Sequence, residues 1–352
     1  MPTNATRTHA FLAAVFAAPL LAPSLGFAQA PAPQAAQPPA AAAAPAPAAA
    51  PEPAVVDEKS KAVLAEVRKA IGGDAKIAAL KTVSFEGTYR RIQGEQDMTG
   101  DLELYFAAPG KFQRVEQFSF GPNPGPRIAQ TVSGNEGWMG PLGPMPGGMM
   151  MRFGGPGGPG GGPGGPGGGP GGNRGGDGPG GQRFDPGIIA KQTYWRTALA
   201  MFPGTEATSA LSFTYVGKAE SPDGEAEVLD VKGDGNFKAR LFVDAKTHLP
   251  VMLTYQERER RMFRQTARNQ GETDEAFRAR IRAEREAAGP PPPPKMIDIS
   301  MFITDHKDVG GVKVPHHFTM QTGDKPTEEW ELKKSKANPK LDDDQFKRKT
   351  SN

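Results

Sequence analysis

From residue 297 to residue 346 the chain reads IDISMFITDHKDVGGVKVPHHFTMQTGDKPTEEWELKKSKANPKLDDDQF. Apolar and polar residues alternate through it, and short turns break it into strands. Such alternation builds an antiparallel sheet with one face turned to an apolar interior. The same pattern occurs earlier. In Val83-Ser84-Phe85-Glu86-Gly87-Thr88-Tyr89 the apolar residues take alternate positions, and Leu102, Leu104 and Phe106 repeat the arrangement with Asp101 and Glu103 between them. Residues 112–120 and 127–132 read as two more strands, and Gly134-Asn135-Glu136-Gly137 as a turn leading into Trp138 and Met139. After residue 210, strands are expected at 211–218, 225–231, 237–244, 250–256, 296–304, 312–321 and 327–334.

Two segments read as helices. Residues 57–71 place Val63, Leu64 and Val67 on one stripe and stop at Gly72-Gly73. A second opens at Asp185-Pro186, an N-cap followed by a first-turn proline, carries Ile188, Ile189, Tyr194, Trp195, Leu199 and Phe202, and ends at Pro203-Gly204. The expected order is one helix, four strands, a Gly-Pro loop, one helix and seven strands. Nearly every connection has hairpin length. The fold class is therefore α+β: a large curved antiparallel sheet covered by two helices, with low-complexity insertions.

Composition subtracts from the 352 residues rather than adding a second domain. The 45 glycines and 36 prolines concentrate in three tracts. Without those tracts roughly 210 residues remain, the size of one large domain. Arg7, the apolar run 10–21 and the small residues Gly26, Ala28 and Ala30 form a secretory signal over 1–28. Residues 29–54 are an Ala/Pro-rich linker that cannot bury a core. The folded unit spans 55–347 and contains two insertions. Residues 140–184 are Gly/Pro-rich, with slips that break collagen periodicity. Residues 257–294 carry nine arginines against seven acidic residues and five consecutive prolines, and read as two charged helices standing off a hairpin.

Chemistry narrows the picture by exclusion. With no cysteine there is no disulfide, thiolate metal site, thiol nucleophile or N-terminal lipid anchor. A net charge of +3 and the lack of an aromatic-basic stripe argue against nucleic acid as a partner. No Gly-Lys-Ser/Thr phosphate loop or Gly-x-Ser-x-Gly elbow occurs. His316 and His317 are adjacent on a strand and so face opposite ways, which keeps them from sharing one ion. Asp230, Asp234 and Gly235 resemble part of a calcium loop, but Lys232 and Leu241 occupy positions where it needs oxygen ligands. No catalytic set, metal or cofactor is expected, and the chain reads as a binding protein rather than an enzyme.

Several turns and strand starts carry a resemblance: Gly134-Asn135-Glu136-Gly137-Trp138, Phe242-Val243-Asp244-Ala245-Lys246-Thr247-His248-Leu249-Pro250, Asp308-Val309-Gly310-Gly311-Val312-Lys313-Val314-Pro315, and Asn338-Pro339 through Asp344 and Phe346. In these the chain resembles the LolA/LolB superfamily of periplasmic lipoprotein carriers, in its outer-membrane lipoprotein-sorting branch. The resemblance covers most of 57–347 apart from the two insertions. It implies an unclosed β-barrel with a helical lid over an apolar cavity, occupied by a lipid or the acyl chain of a lipoprotein, in the periplasm. Cavity residues would be Phe85, Tyr89, Leu104, Phe106, Trp138, Met139, Met149, Met150, Met151, Phe153, Tyr194, Trp195 and Phe202, the methionines supplying a soft lid. Arg90, Arg91 and Arg114, on early strands, would form a polar rim. The arginine-rich arm would make transient contact with a membrane surface or a partner. The alternative is an envelope protein-interaction module with a filled core, using the Gly/Pro loop and the arginine-rich arm.

Overall fold

The computed structural model describes residues 54–93, 96–120, 123–143, 185–221, 224–259, 269, 271–288 and 295–348. Twelve strands form one antiparallel sheet: β1 (Thr82–Gln93), β2 (Gln96–Ala107), β3 (Lys111–Phe120), β4 (Asn123–Ser133), β5 (Glu136–Pro141), β6 (Ser212–Ser221), β7 (Gly224–Gly233), β8 (Phe237–Asp244), β9 (Pro250–Arg258), β10 (Met296–Val309), β11 (Val312–Thr322) and β12 (Lys325–Ala337). Their spatial order is β5-β4-β3-β2-β1-β12-β11-β10-β9-β8-β7-β6. Strands consecutive in sequence pair, except β5 with β6, and β1 meets β12 at a seam. There Val83 lies opposite Ala337 and Arg91 opposite Glu328. β5 and β6 are the two edges, so the sheet is an unclosed barrel. The β6 edge is partly covered, because Phe213 donates its N–H to Val55 at 2.9 Å and Val56 bridges it in parallel.

Helix α1 (Glu58–Ile71) starts where Asp57 accepts the N–H of Ser60 at 2.9 Å. Leu64, Val67 and Ile71 form its buried stripe. It ends at Gly72, whose φ of 144° a side chain would strain, and where an added Cβ would lie 2.5 Å from the Gly311 carbonyl oxygen. Thus α1 abuts the β10–β11 turn. A short helix α2 (Asp74–Ala79) follows, and α3 (Pro186–Met201) begins at the cap of Asp185 as the sequence indicated. α4 (Asp274–Ala288) lies in the arginine-rich arm.

Three elements depart from expectation. Residues 136–141 extend the sheet as edge strand β5, where only a turn and its exit were read. Their glycines and proline lower strand propensity, but pairing of Gln130 with Met139 and Thr131 with Trp138 overrides it. α2 was not foreseen. The arm shows one described helix, and the first of the two expected there falls largely on 260–268, outside the described residues.

One face of the sheet is the core. Phe85, Leu104, Phe112, Leu241, Leu253 and Phe318, from strands right across it, are fully buried and join α1 and α3 in one apolar cluster. The opposite face is mostly solvated, except where the chain's end crosses it. Phe346 is buried there, Gln113 Nε2 donates to the Gln345 carbonyl at 2.7 Å, and Lys111 pairs with Asp343 at 2.8 Å.

Candidate functional site

An aromatic series lines the region where α3 lies on the sheet. The Phe106 and Phe112 ring centroids are 4.9 Å apart, Phe106 and Phe202 5.4 Å, Phe112 and Tyr194 5.5 Å, and Tyr194 and Trp195 4.7 Å. These rings fill space rather than enclose it. Burial, followed by the nearby Glu206 charge, raises the Tyr194 phenol to about 12, and its hydroxyl donates to the Ala207 carbonyl at 2.8 Å. The concave face is thus largely occupied by the protein's own side chains.

Open space remains at one end. A pocket of about 280 Å³ lies between the α1–α2 corner, the segment after α3 and the β2–β3 turn. Its apolar wall includes Val83, Phe106, Phe202, Leu80, Ile77 and Val312, and its polar lip includes Arg68, Lys81, Lys111, Asp74 and Glu206. Arg68 is held by Asp74 at 2.8 Å and by the Gly204 carbonyl at 3.3 Å. The pocket's volume falls just below that of ligand sites, which run from about 300 to 1,000 Å³.

Beyond Tyr89 the interior changes character. Arg91 and Arg114, with Glu116 and Glu328, form a buried ionic cluster on the core face. Arg91 Nε donates to Glu328 at 3.0 Å, Arg91 Nη2 to Glu116 at 3.2 Å, and Arg114 Nη2 to Glu328 at 2.9 Å. Trp330 Nε1 donates to the same Glu328 oxygen at 2.6 Å, and the Arg114 guanidinium stacks 4.1 Å from the Trp330 ring centre. Burial opposes the charge on Arg91, but Glu328 and Glu116 more than offset it and raise its pKa. Burial and then the Glu116 charge push the Tyr89 phenol up, and its buried hydroxyl has no hydrogen-bond partner among the described residues. With two charges of each sign, the cluster is internally neutralised.

The sequence-chosen residues therefore separate into groups. Phe106, Tyr194 and Phe202 border the pocket. Phe85 and Leu104 lie in the filled core, and Tyr89 marks its junction with the ionic cluster. Arg91 and Arg114 are buried cluster members. Arg90 projects from the other face, half-exposed, toward Asp97 and Glu329, each at 3.4 Å. It sits one residue from Arg91, and strand alternation sends the two apart. Trp138 and Met139 are half-buried on β5. Met149, Met150, Met151 and Phe153 lie outside the described residues. Glu116 and Glu328 were missed. Their signal is parity, since Glu116 alternates with Phe112 and Arg114 on the inward side of β3.

The histidines divide as alternation predicts. His316 is buried, with Nε2 3.2 Å from Ser335 Oγ. His317 faces the other way, with Nε2 2.9 Å from Glu329 and Nδ1 3.1 Å from Thr304 Oγ1. Burial holds His306 down at about 4. Among the described residues no three His, Asp or Glu side chains are placed to hold a metal ion, and no helix is long and apolar enough to cross a membrane.

No protein-family model and no curated protein matches the chain. Solved structures do. A LolA superfamily protein from Nitrosomonas europaea is 10% identical, with a TM-score of 0.43, over 82% of this chain and 97% of its own. A Vibrio parahaemolyticus domain named for outer membrane lipoprotein sorting is 9% identical at 0.43, over 82% and 96%. A DUF1329 family protein from Desulfovibrio piger is 7% identical at 0.39, over 82% and 96%. The chain is similar to these in layout. Its fold class rests on its own strand order and register.

Proposed function

We propose that this chain is a non-catalytic carrier in the periplasm, exported by the signal at its N-terminus, that binds acyl chains, free or attached to a protein. The observation that supports this most is the pocket of about 280 Å³, walled by apolar side chains where the helices leave the sheet uncovered. Burial of an alkyl chain there is favourable by about 0.8 kcal/mol per methylene, enough to hold a ligand without covalent chemistry. The LolA superfamily resemblance and the lipoprotein-sorting name of one structural neighbour point the same way.

The test is purification of the exported chain, lipid extraction and mass spectrometry, with titration of a fluorescent fatty acid. Co-purifying acyl lipid and saturable binding are expected. A lipid-free protein that also fails to bind the probe overturns the reading.

One observation favours a second reading, an envelope interaction module: among the described residues, one continuous cluster of buried apolar side chains covers the core face from β4 round to β6. Deleting residues 141–182 separates the two. Lost capture of an envelope partner with unchanged fatty-acid binding supports the module.

A further inference from the structure

The pocket's lip is not neutral in its disposition of charge, and this narrows the ligand. Three cations, Arg68, Lys81 and Lys111, line it against two carboxylates, Asp74 and Glu206. Asp74 is already engaged by Arg68, and Lys111 by Asp343 on the far side. Among the described residues, the Lys81 ammonium pairs with no carboxylate and is exposed at the mouth. The backbone that carries it is pinned. Lys81 donates its N–H to Asn338 Oδ1 at 2.8 Å, and Thr82 next to it donates its hydroxyl to the Pro339 carbonyl at 2.7 Å.

We propose that the pocket binds a single-chain anionic amphiphile, with its tail on Val83, Phe106 and Phe202 and its anionic head at Lys81, assisted by Arg68. This rests on the acyl-binding reading above and specifies its ligand. The volume admits one chain rather than the several of a multiply acylated lipoprotein. An alkyl chain alone would need no cation at the mouth. A carboxylate or phosphate head gains a charge-assisted hydrogen bond there, stronger than a neutral one. Free fatty acids and lysophospholipids share this chemistry.

The experiment titrates the full exported chain with dodecanoate, dodecyl phosphate, lysophosphatidylglycerol, dodecanol and dodecyltrimethylammonium. The three anions are expected to bind at least about tenfold more tightly than the alcohol, and the cation least, with the anion preference shrinking at high salt. Lys81→Glu is expected to remove that preference, and Glu206→Gln to strengthen anion binding. Dodecanoate against lysophosphatidylglycerol tells a free acid from a lipid headgroup. Equal affinity for dodecanoate and dodecanol overturns this inference and leaves the acyl-binding reading standing. Failure of every amphiphile to bind overturns both. Ala207→Phe, which fills the pocket, is expected to abolish binding with Tm unchanged. Full binding in that variant overturns the placement, and a lowered Tm is resolved by repeating the titration with Ala207→Val.

Discussion

Arg91 and Glu328 face each other across the seam between the first and last strands, and their side chains meet at 3.0 Å inside the sheet. Removing one member leaves a buried guanidinium without its counter-charge. Glu328→Ala is expected to destabilise the fold by about 3–5 kcal/mol in urea unfolding. Replacing Arg91, Arg114, Glu116 and Glu328 together with Met, Met, Leu and Leu is expected to be far milder than the single change. A mild Glu328→Ala would show that the cluster does not depend on that carboxylate.

Gly137 and Gly187 set how closely α3 approaches the edge of the sheet. A Cβ on Gly137 would lie 2.5 Å from the Gly187 carbonyl oxygen, and one on Gly187 2.6 Å from that of Gly137. Backbone cannot yield as a flexible side chain does. Gly137→Ala is expected to cost about 1–3 kcal/mol and to speed hydrogen exchange in α3 more than in α1. Equal exchange in both helices would refute this contact as the anchor.

Acid stability should carry the signature of Asp57. Backbone N–H groups of Ser60 and Tyr215 hold its carboxyl down at about 2, below its ordinary 3.8. A depressed folded pKa contributes stability that is present above the unfolded value and is lost as pH falls through the folded one. Tm is therefore expected to fall between about pH 4 and pH 2 more steeply in the wild type than in Asp57→Asn, which keeps a cap but cannot titrate. Parallel curves would exclude the residue as a contributor.

His306 acts in a higher window with the same sign. Burial lowers it from 6.5 to about 4, so its contribution is intact above pH 6.5 and disappears as pH falls through about 4. His316, also lowered first by burial, adds in the same direction. The groups facing His306 through charge are Asp305, Lys313 and His316, and these partly offset one another. His306→Leu is expected to flatten unfolding free energy between pH 6.5 and 4 by about 2–3 kcal/mol. An unchanged slope would exclude His306 as the origin of that loss.

Much of this molecule was legible because strand alternation and helix caps are local. The inward positions Phe85, Leu104 and Phe112, the cap at Asp185 and the opposed His316 and His317 all follow from near neighbours in sequence. The ionic cluster was half legible. Arg91 and Arg114 were picked out for lying on early strands, but Glu116 and Glu328 were not singled out, because their partners lie on other strands. β5 was lost to its glycines, and α2 has six residues and no apolar stripe to announce it. How much hollow remains under the helices depends on packing among dozens of side chains, which alternation cannot measure.

The seam between β1 and β12 sets an order of events. Val83 waits for Ala337, so β1 gains this neighbour only after all the other strands have been made. Until then its flank is raw and sticky, and contacts so distant in sequence close slowly. Without β12 that flank would stay bare, and only the packing of α1 and α3 would hold the two runs of hairpins in one body.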